Sequence, residues 1–156
     1  MHSYIIKITE VGDKSGLTAI EANSRAVKEK LGHDYVERVG EEGLEDVRQL
    51  IEHMTGGLFD GDDIAFKKSD VSDILDEIAL SASESLRDWV YSRQKGTYHI
   101  DKALEMLRPD RGLCFVMPDR APMNKVEFLI MLYDKTDRAK QDRIVLRFAG
   151  ALDYHA

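Results

Sequence analysis

The chain has 156 residues and a formal net charge of −7, from 29 acidic and 22 basic side chains. That balance argues against nucleic acid as a partner, because phosphate binding rests on clustered Lys and Arg. Apolar residues make up 43% of the chain, enough for one packed core, and no run approaches the ~20 apolar residues that span a bilayer.

In chain order, Ser3 to Val11 (SYIIKITEV) is rich in β-branched residues, and Ile6 and Ile8 alternate with Lys7 and Thr9, which predicts a strand. The start, Met1 to Thr9, carries one lysine and no cleavage-site pattern, so it is not expected to be a signal peptide. Gly12 to Gly16 is a turn. Leu17 to Leu31 places Leu17, Ile20, Val27 and Leu31 on one face of a helix that Gly32 would close. His33 to Val39 is a short strand or an extended connection. Glu41 to Met54 repeats Leu44, Val47, Leu50, Ile51 and Met54 at helical spacing, and Thr55-Gly56-Gly57 ends it. Leu58 to Lys68 is dense in turn chemistry.

Ser69 to about Lys95 is the longest amphipathic helix, with Val71, Ile74, Leu75, Ile78, Ala82, Leu86, Trp89 and Val90 on its apolar face. Ser69 or Asp70 could cap it, Gly96 could stop it, and Trp89 is expected to be its largest buried anchor. His99 to Arg108 is a short helix, Pro109 to Gly112 a turn, and Leu113 to Met117 a buried strand ended by Pro118. In the last third, Val126 to Tyr133 and Ile144 to Phe148 read as two strands joined by the charged loop Asp134 to Asp142. The alternative is a helix capped by Thr136 and running to Leu152; the alternation of Ile144, Leu146 and Phe148 favours strands.

Few residues suggest chemistry. The single cysteine, Cys114, sits in an apolar run with no neighbouring histidine, so it is expected to be a buried, inert thiol. Asp60-Gly61-Asp62-Asp63 clusters carboxylates of the kind that bind calcium, but Ile64, Ala65 and Phe66 stand where an EF-hand loop needs further ligands. An acidic turn and no metal are the expectation. His99 and Asp101 could pair a base with a carboxylate, or Asp101 could simply cap its helix. No GxSxG, Walker A, GxGxxG or HExxH pattern occurs, so no catalytic residue or cofactor is assigned. Arg138, Lys140, Arg143 and Arg147 are interleaved with acids and read as a mixed solvated face.

The helix DILDEIALSASESLRDWVYSR followed by LCFVMPD resembles small proteins from the structural gene cassettes of tailed phages and related mobile elements of gut Bacteroidales. The run Lys135-Thr136-Asp137, followed by an Ala-rich segment, is similar too. The resemblance implies an N-terminal strand and helix, a long central helix, a strand ending in a Pro-containing turn, and C-terminal helices. It implies a non-enzymatic assembly role with protein partners, and virion association in place of a cytoplasmic location.

These readings combine into a single α+β domain, mostly helical, with a small antiparallel sheet formed by the N-terminal strand and the last third. The expected function is non-catalytic protein interaction or assembly, through a protein partner or self-association. Phe59 and Phe66, which flank the acidic turn, are the candidate interface anchors; Met123 and Phe128 are further apolar residues outside the clear helical faces. One rival is a small enzyme or ligand-binding domain with a cleft near His99, Asp101 and the carboxylates Asp60, Asp62 and Asp63. Another is an acidic mobile-element regulator that blocks a host protein.

Overall fold

The computed structural model describes residues 3–22, 24–31, 35–109 and 112–155. The predicted roles of Gly32, His33 and Asp34, and of Asp110 and Arg111 in their turn, lie outside the described residues. Among the described residues the elements run β1 (Ser3–Glu10), α1 (Ala19–Ala22), α2 (Arg25–Leu31), β2 (Tyr35–Arg38), α3 (Glu41–Thr55), β3 (Leu58–Asp60), β4 (Asp63–Lys67), α4 (Lys68–Tyr91), α5 (Tyr98–Leu107), β5 (Leu113–Val116), β6 (Met123–Asn124), α6 (Lys125–Arg138) and β7 (Arg143–His155). The fold is α+β, as the sequence pattern predicts, built on one mixed sheet.

β1 is the central strand. It pairs antiparallel with β7 and parallel with β5, so both of its edges are hydrogen-bonded. Ile5, Ile6 and Ile8 are fully buried, and so is Thr9. The full order is β3-β4-β7-β1-β5-β6, with β2 also pairing β7. The sheet is therefore larger than the N-terminal strand and last third alone, and one of its pairs is parallel. Its main core lies on one face, where Ile6, Ile8, Phe115 and Leu146 meet Val47 and Ile51 of α3, Val71 of α4, and Phe128, Leu129 and Leu132 of α6. A smaller cluster on the other face joins Ile5 to Ala22, Val27, Leu152 and Tyr154. On this second face Lys7, 5% exposed, is held by Glu21 Oε1 at 2.6 Å and by the Gly16 carbonyl at 3.1 Å, which satisfies a charge drawn out of water.

Several expectations are corrected. The helix over Leu17 to Leu31 is two helices. Thr18 and Glu21 form a reciprocal cap at the first, and Ser24 Oγ accepts from Val27 N at the second, so local side-chain bonds compete with one continuous ladder. The turn-rich stretch Leu58 to Lys68 is a hairpin: Asp60 pairs with Asp63 around Gly61-Asp62, Gly61 has a positive φ of 62°, and β4 adds onto β7. Gly57 precedes it because a Cβ there would come within 2.8 Å of Ile64 and Phe66.

Ser69 and Asp70 fall inside the first turn of α4, which has no side-chain cap and ends at Tyr91 rather than near Gly96. Val126 to Tyr133 is not a strand but most of α6. Asn124 Oδ1 accepts from Glu127 N at 2.9 Å, and Glu127 Oε2 accepts from Asn124 N at 2.7 Å, a complete capping box that commits the segment to a helix. The loop over Asp134 to Asp142 is correspondingly shorter, and Thr136 closes α6 from within by donating to the Leu132 carbonyl. Ile144 to Phe148 is strand as expected, the first part of β7.

Candidate functional site

α4 has 24 residues and is about 36 Å long. Its first half lies on the sheet, with Val71 buried and Ile74, Leu75 and Ile78 packed against the core. Its second half packs against α5, where Ala82, Ser85 and Ala103 are buried. α5 folds back along α4, because Met106 and Pro109, at its far end, share one cleft with Glu77, Ile78 and Ser81 from the middle of α4. The two helices make a hairpin that overhangs the domain.

Trp89 is on this overhang, not in the core. It is only half-buried, its Nε1 donates to the Gly96 carbonyl at 3.0 Å, and Lys95 lies 4.8 Å from its ring centre. Lys95 also donates to the Trp89 and Val90 carbonyls, which satisfies the open end of α4.

Among the described residues, ten large hydrophobic side chains are exposed, and seven of them belong to this hairpin: Leu80, Leu86, Val90, Tyr91, Tyr98, Leu104 and Leu107, at 39–81%. Helical spacing sorts them. Leu86 and Val90 are one turn apart on α4. Ile100, Leu104 and Leu107 stand at i, i+4 and i+7 on α5. For two antiparallel helices in contact through Ala82, Ser85 and Ala103, these two rows lie on the same side of the seam. They form one apolar flank on the side opposite the cleft.

The cleft occupies the other side. It encloses about 360 Å³ and is lined by Met54, Ile78, Met106, Pro109 and Leu113, with Glu77, Ser81 and Glu105 at its exposed margin and Lys125 from the first turn of α6. Burial pushes the Lys125 ammonium below the ordinary lysine range. A second, more polar depression lies between Arg120 and α6, but there Arg138 is paired with Asp134 at 2.8 Å, and Lys135 with Glu10.

The other residues singled out in the sequence do not converge. Phe66 is fully buried, edge-on to Phe128 at 5.9 Å between ring centres, so it is core and offers no surface anchor. Phe59 is half-buried, edge-on to Phe148 at 5.8 Å and covered by the Arg48 guanidinium 5.1 Å from its ring centre. Met123 and Phe128 are also buried. Arg48 then reaches over the acidic turn, donating to the Gly61 carbonyl at 2.6 Å and to Asp62 Oδ1 at 2.7 Å. Asp60, Asp62 and Asp63 are thereby parts of a hairpin turn, and among the described residues no three His, Cys, Asp or Glu side chains gather as a metal site.

His99 is half-buried beside Tyr98, with ring centres 5.1 Å apart. Asp101 is exposed in the first turn of α5, where its charge suits the helix dipole. Neither lines the cleft, and no hydrogen bond joins them. Arg147, which the sequence places on a mixed solvated face, is half-buried and structural, donating to the Asp13 and Ser15 carbonyls. Cys114 is buried as expected, and burial pushes its thiol up to about 12.

Sequence reasoning missed the apolar flank because it assigned Leu86, Trp89 and Val90 to the core. It also missed Lys125, which lies between a capping asparagine and an apolar run.

Comparison with family models, curated proteins and solved structures gives no match to the chain. Among the described residues no helix is long and apolar enough to cross a membrane.

Proposed function

We propose that the protein is a non-catalytic interaction protein that self-associates through the apolar flank of the α4–α5 hairpin. The observation that carries this reading is the concentration of exposed hydrophobic side chains on one hairpin, seven of ten among the described residues, of which Leu86, Val90, Leu104 and Leu107 share one flank. Monomeric proteins seldom gather such side chains on one surface unless it is used.

Size supports it. At roughly 200 Å² for each fully exposed large side chain, Leu86, Val90, Leu104 and Leu107 together expose on the order of 400 Å². Two copies would bury about 800 Å² of apolar surface, which with the usual polar share makes about 1,400 Å² in all, within the standard interface range.

Charge supports a second copy as the partner. Between Glu84 and Arg108 there are four carboxylates and five cations, whereas the whole chain carries −7. A near-neutral face meeting itself about a two-fold axis places no net charge against like charge. Two helical hairpins meeting along their flanks would make a four-helix bundle, a packing that buries such rows. Assembly of this kind also fits the role that the resemblance to phage and mobile-element structural proteins implies.

The reading is tested by capture of an untagged copy on a tagged one at micromolar concentration. Wild-type chains should co-purify, and the double variant Leu86→Glu/Leu104→Glu should not. Both positions are exposed, so the variant should keep its fold. Failure of wild-type chains to co-purify would overturn the proposal.

A further inference from the structure

Five described lysines are drawn partly or wholly out of solvent: Lys7, Lys30, Lys68, Lys125 and Lys135. Lys7 pairs with Glu21 at 2.6 Å, Lys30 with Glu127 at 2.8 Å, Lys68 with Asp137 at 2.7 Å, and Lys135 with Glu10. Of these five, Lys125 alone has no carboxylate and no hydrogen-bond acceptor among the described residues. Half-burying an ammonium without a partner costs free energy, and burial pushes its proton affinity down as a consequence. The same lysine lines the cleft of about 360 Å³ whose floor is Met54, Ile78, Met106 and Leu113.

We propose that this cleft is a binding site for a small apolar monocarboxylate, with Lys125 as the counter-ion for the carboxylate and the Met, Ile and Leu side chains around the hydrocarbon body. The volume falls within the range of small-molecule sites, and two methionines suit a flexible chain of variable shape. The ion pair would supply the missing acceptors for Lys125 in a setting of reduced water, where a charge-assisted hydrogen bond counts for more than at the surface. Glu77 and Glu105 at the exposed margin select against a second negative charge, so the site favours one carboxylate over a phosphate or a dicarboxylate. The site lies on the opposite side of the α4–α5 seam from the apolar flank, so its occupancy does not depend on self-association.

The test is titration calorimetry of the whole chain with octanoate, octanol and octylphosphate at one ionic strength, repeated with Lys125→Met. Octanoate should bind saturably to the wild type, about tenfold or more tighter than octanol, the factor a charge-assisted bond provides. It should also bind tighter than octylphosphate. In Lys125→Met octanoate should fall to the affinity of octanol, and Lys125→Arg should restore part of the difference. No saturable octanoate binding to the wild type overturns the site, whatever the variant does. Equal binding of octanoate and octanol to the wild type, or octanoate binding unchanged by Lys125→Met, overturns the role of the lysine. Tighter binding of octylphosphate overturns the charge selection.

Discussion

Replacing Phe128 and Trp89 by alanine, one at a time, separates the core from the overhang. Phe128 is fully buried, stacked on Phe115 with ring centres 4.0 Å apart and planes 4° from parallel, and edge-on to Phe66. Removing it deletes a complete aromatic side chain from between sheet and α6 and leaves a cavity, which costs about 3–5 kcal/mol. Trp89 is half-buried and holds a single hydrogen bond to Gly96 and a contact with Lys95. Its loss removes about 1 kcal/mol for the bond and about 0.5–1 kcal/mol for the cation contact, both partly replaced by water. For a chain of this length each kcal/mol shifts the melting temperature by about 2–4 °C. Differential scanning calorimetry at low protein concentration should therefore show a drop of about 10 °C or more for Phe128→Ala and of about 3–8 °C at most for Trp89→Ala. Equal losses in the two variants would refute the placement of the second half of α4 outside the core.

Asn124→Ala removes one arm of the capping box and should cost about 0.5–2 kcal/mol by urea denaturation, with Asn124→Asp close to wild type. Burial raises the proton affinity of Glu127, but the Lys30 ammonium and the Asn124 N–H outweigh it, so its carboxyl is held below the ordinary glutamate range. A lowered folded value means stability that is fully present above the ordinary value and lost as pH falls through the lowered one. Acid titration of Glu127→Gln should therefore show a smaller loss of stability in that window than wild type does. Native Cys114 should resist iodoacetamide at neutral pH, because its thiol is buried and pushed up to about 12, and should react once urea unfolds the chain; mass spectrometry reads the label.

Local sequence pattern specified most elements wherever one mechanism acted alone. The alternation in β1, the heptad-like spacing of Val47, Leu50, Ile51 and Met54 in α3, and the Gly56 stop with φ of 68° all read directly. α6 misled because VEFLIMLY is buried on most sides, so its periodicity is blurred. The deciding information was Asn124 followed three residues later by Glu127. The β3–β4 hairpin hid behind its own aspartates, although Ile64 and Phe66 alternate correctly.

The candidate surfaces were less legible for a different reason. Whether an apolar face meets the sheet, a neighbouring helix or solvent depends on where the helix overruns its support. Leu86 and Leu107 carry the same spacing as buried residues and are nevertheless exposed, on the part of the helical hairpin that contributes nothing to the main core. The isolation of Lys125 likewise depends on partners far away in sequence, since the acid nearest to it along the chain, Glu127, is already taken by Lys30.

Sedimentation equilibrium over a concentration series tests self-association most directly. The wild-type mass should rise from 17.7 kDa toward twice that value. Leu86→Glu/Leu104→Glu should remain at 17.7 kDa, and Ile130→Glu, which alters an exposed hydrophobic residue on α6 away from the hairpin, should behave as wild type. A wild type that stays at 17.7 kDa at the highest concentration, or a double variant that associates as well as the wild type, would contradict an interface on the α4–α5 flank.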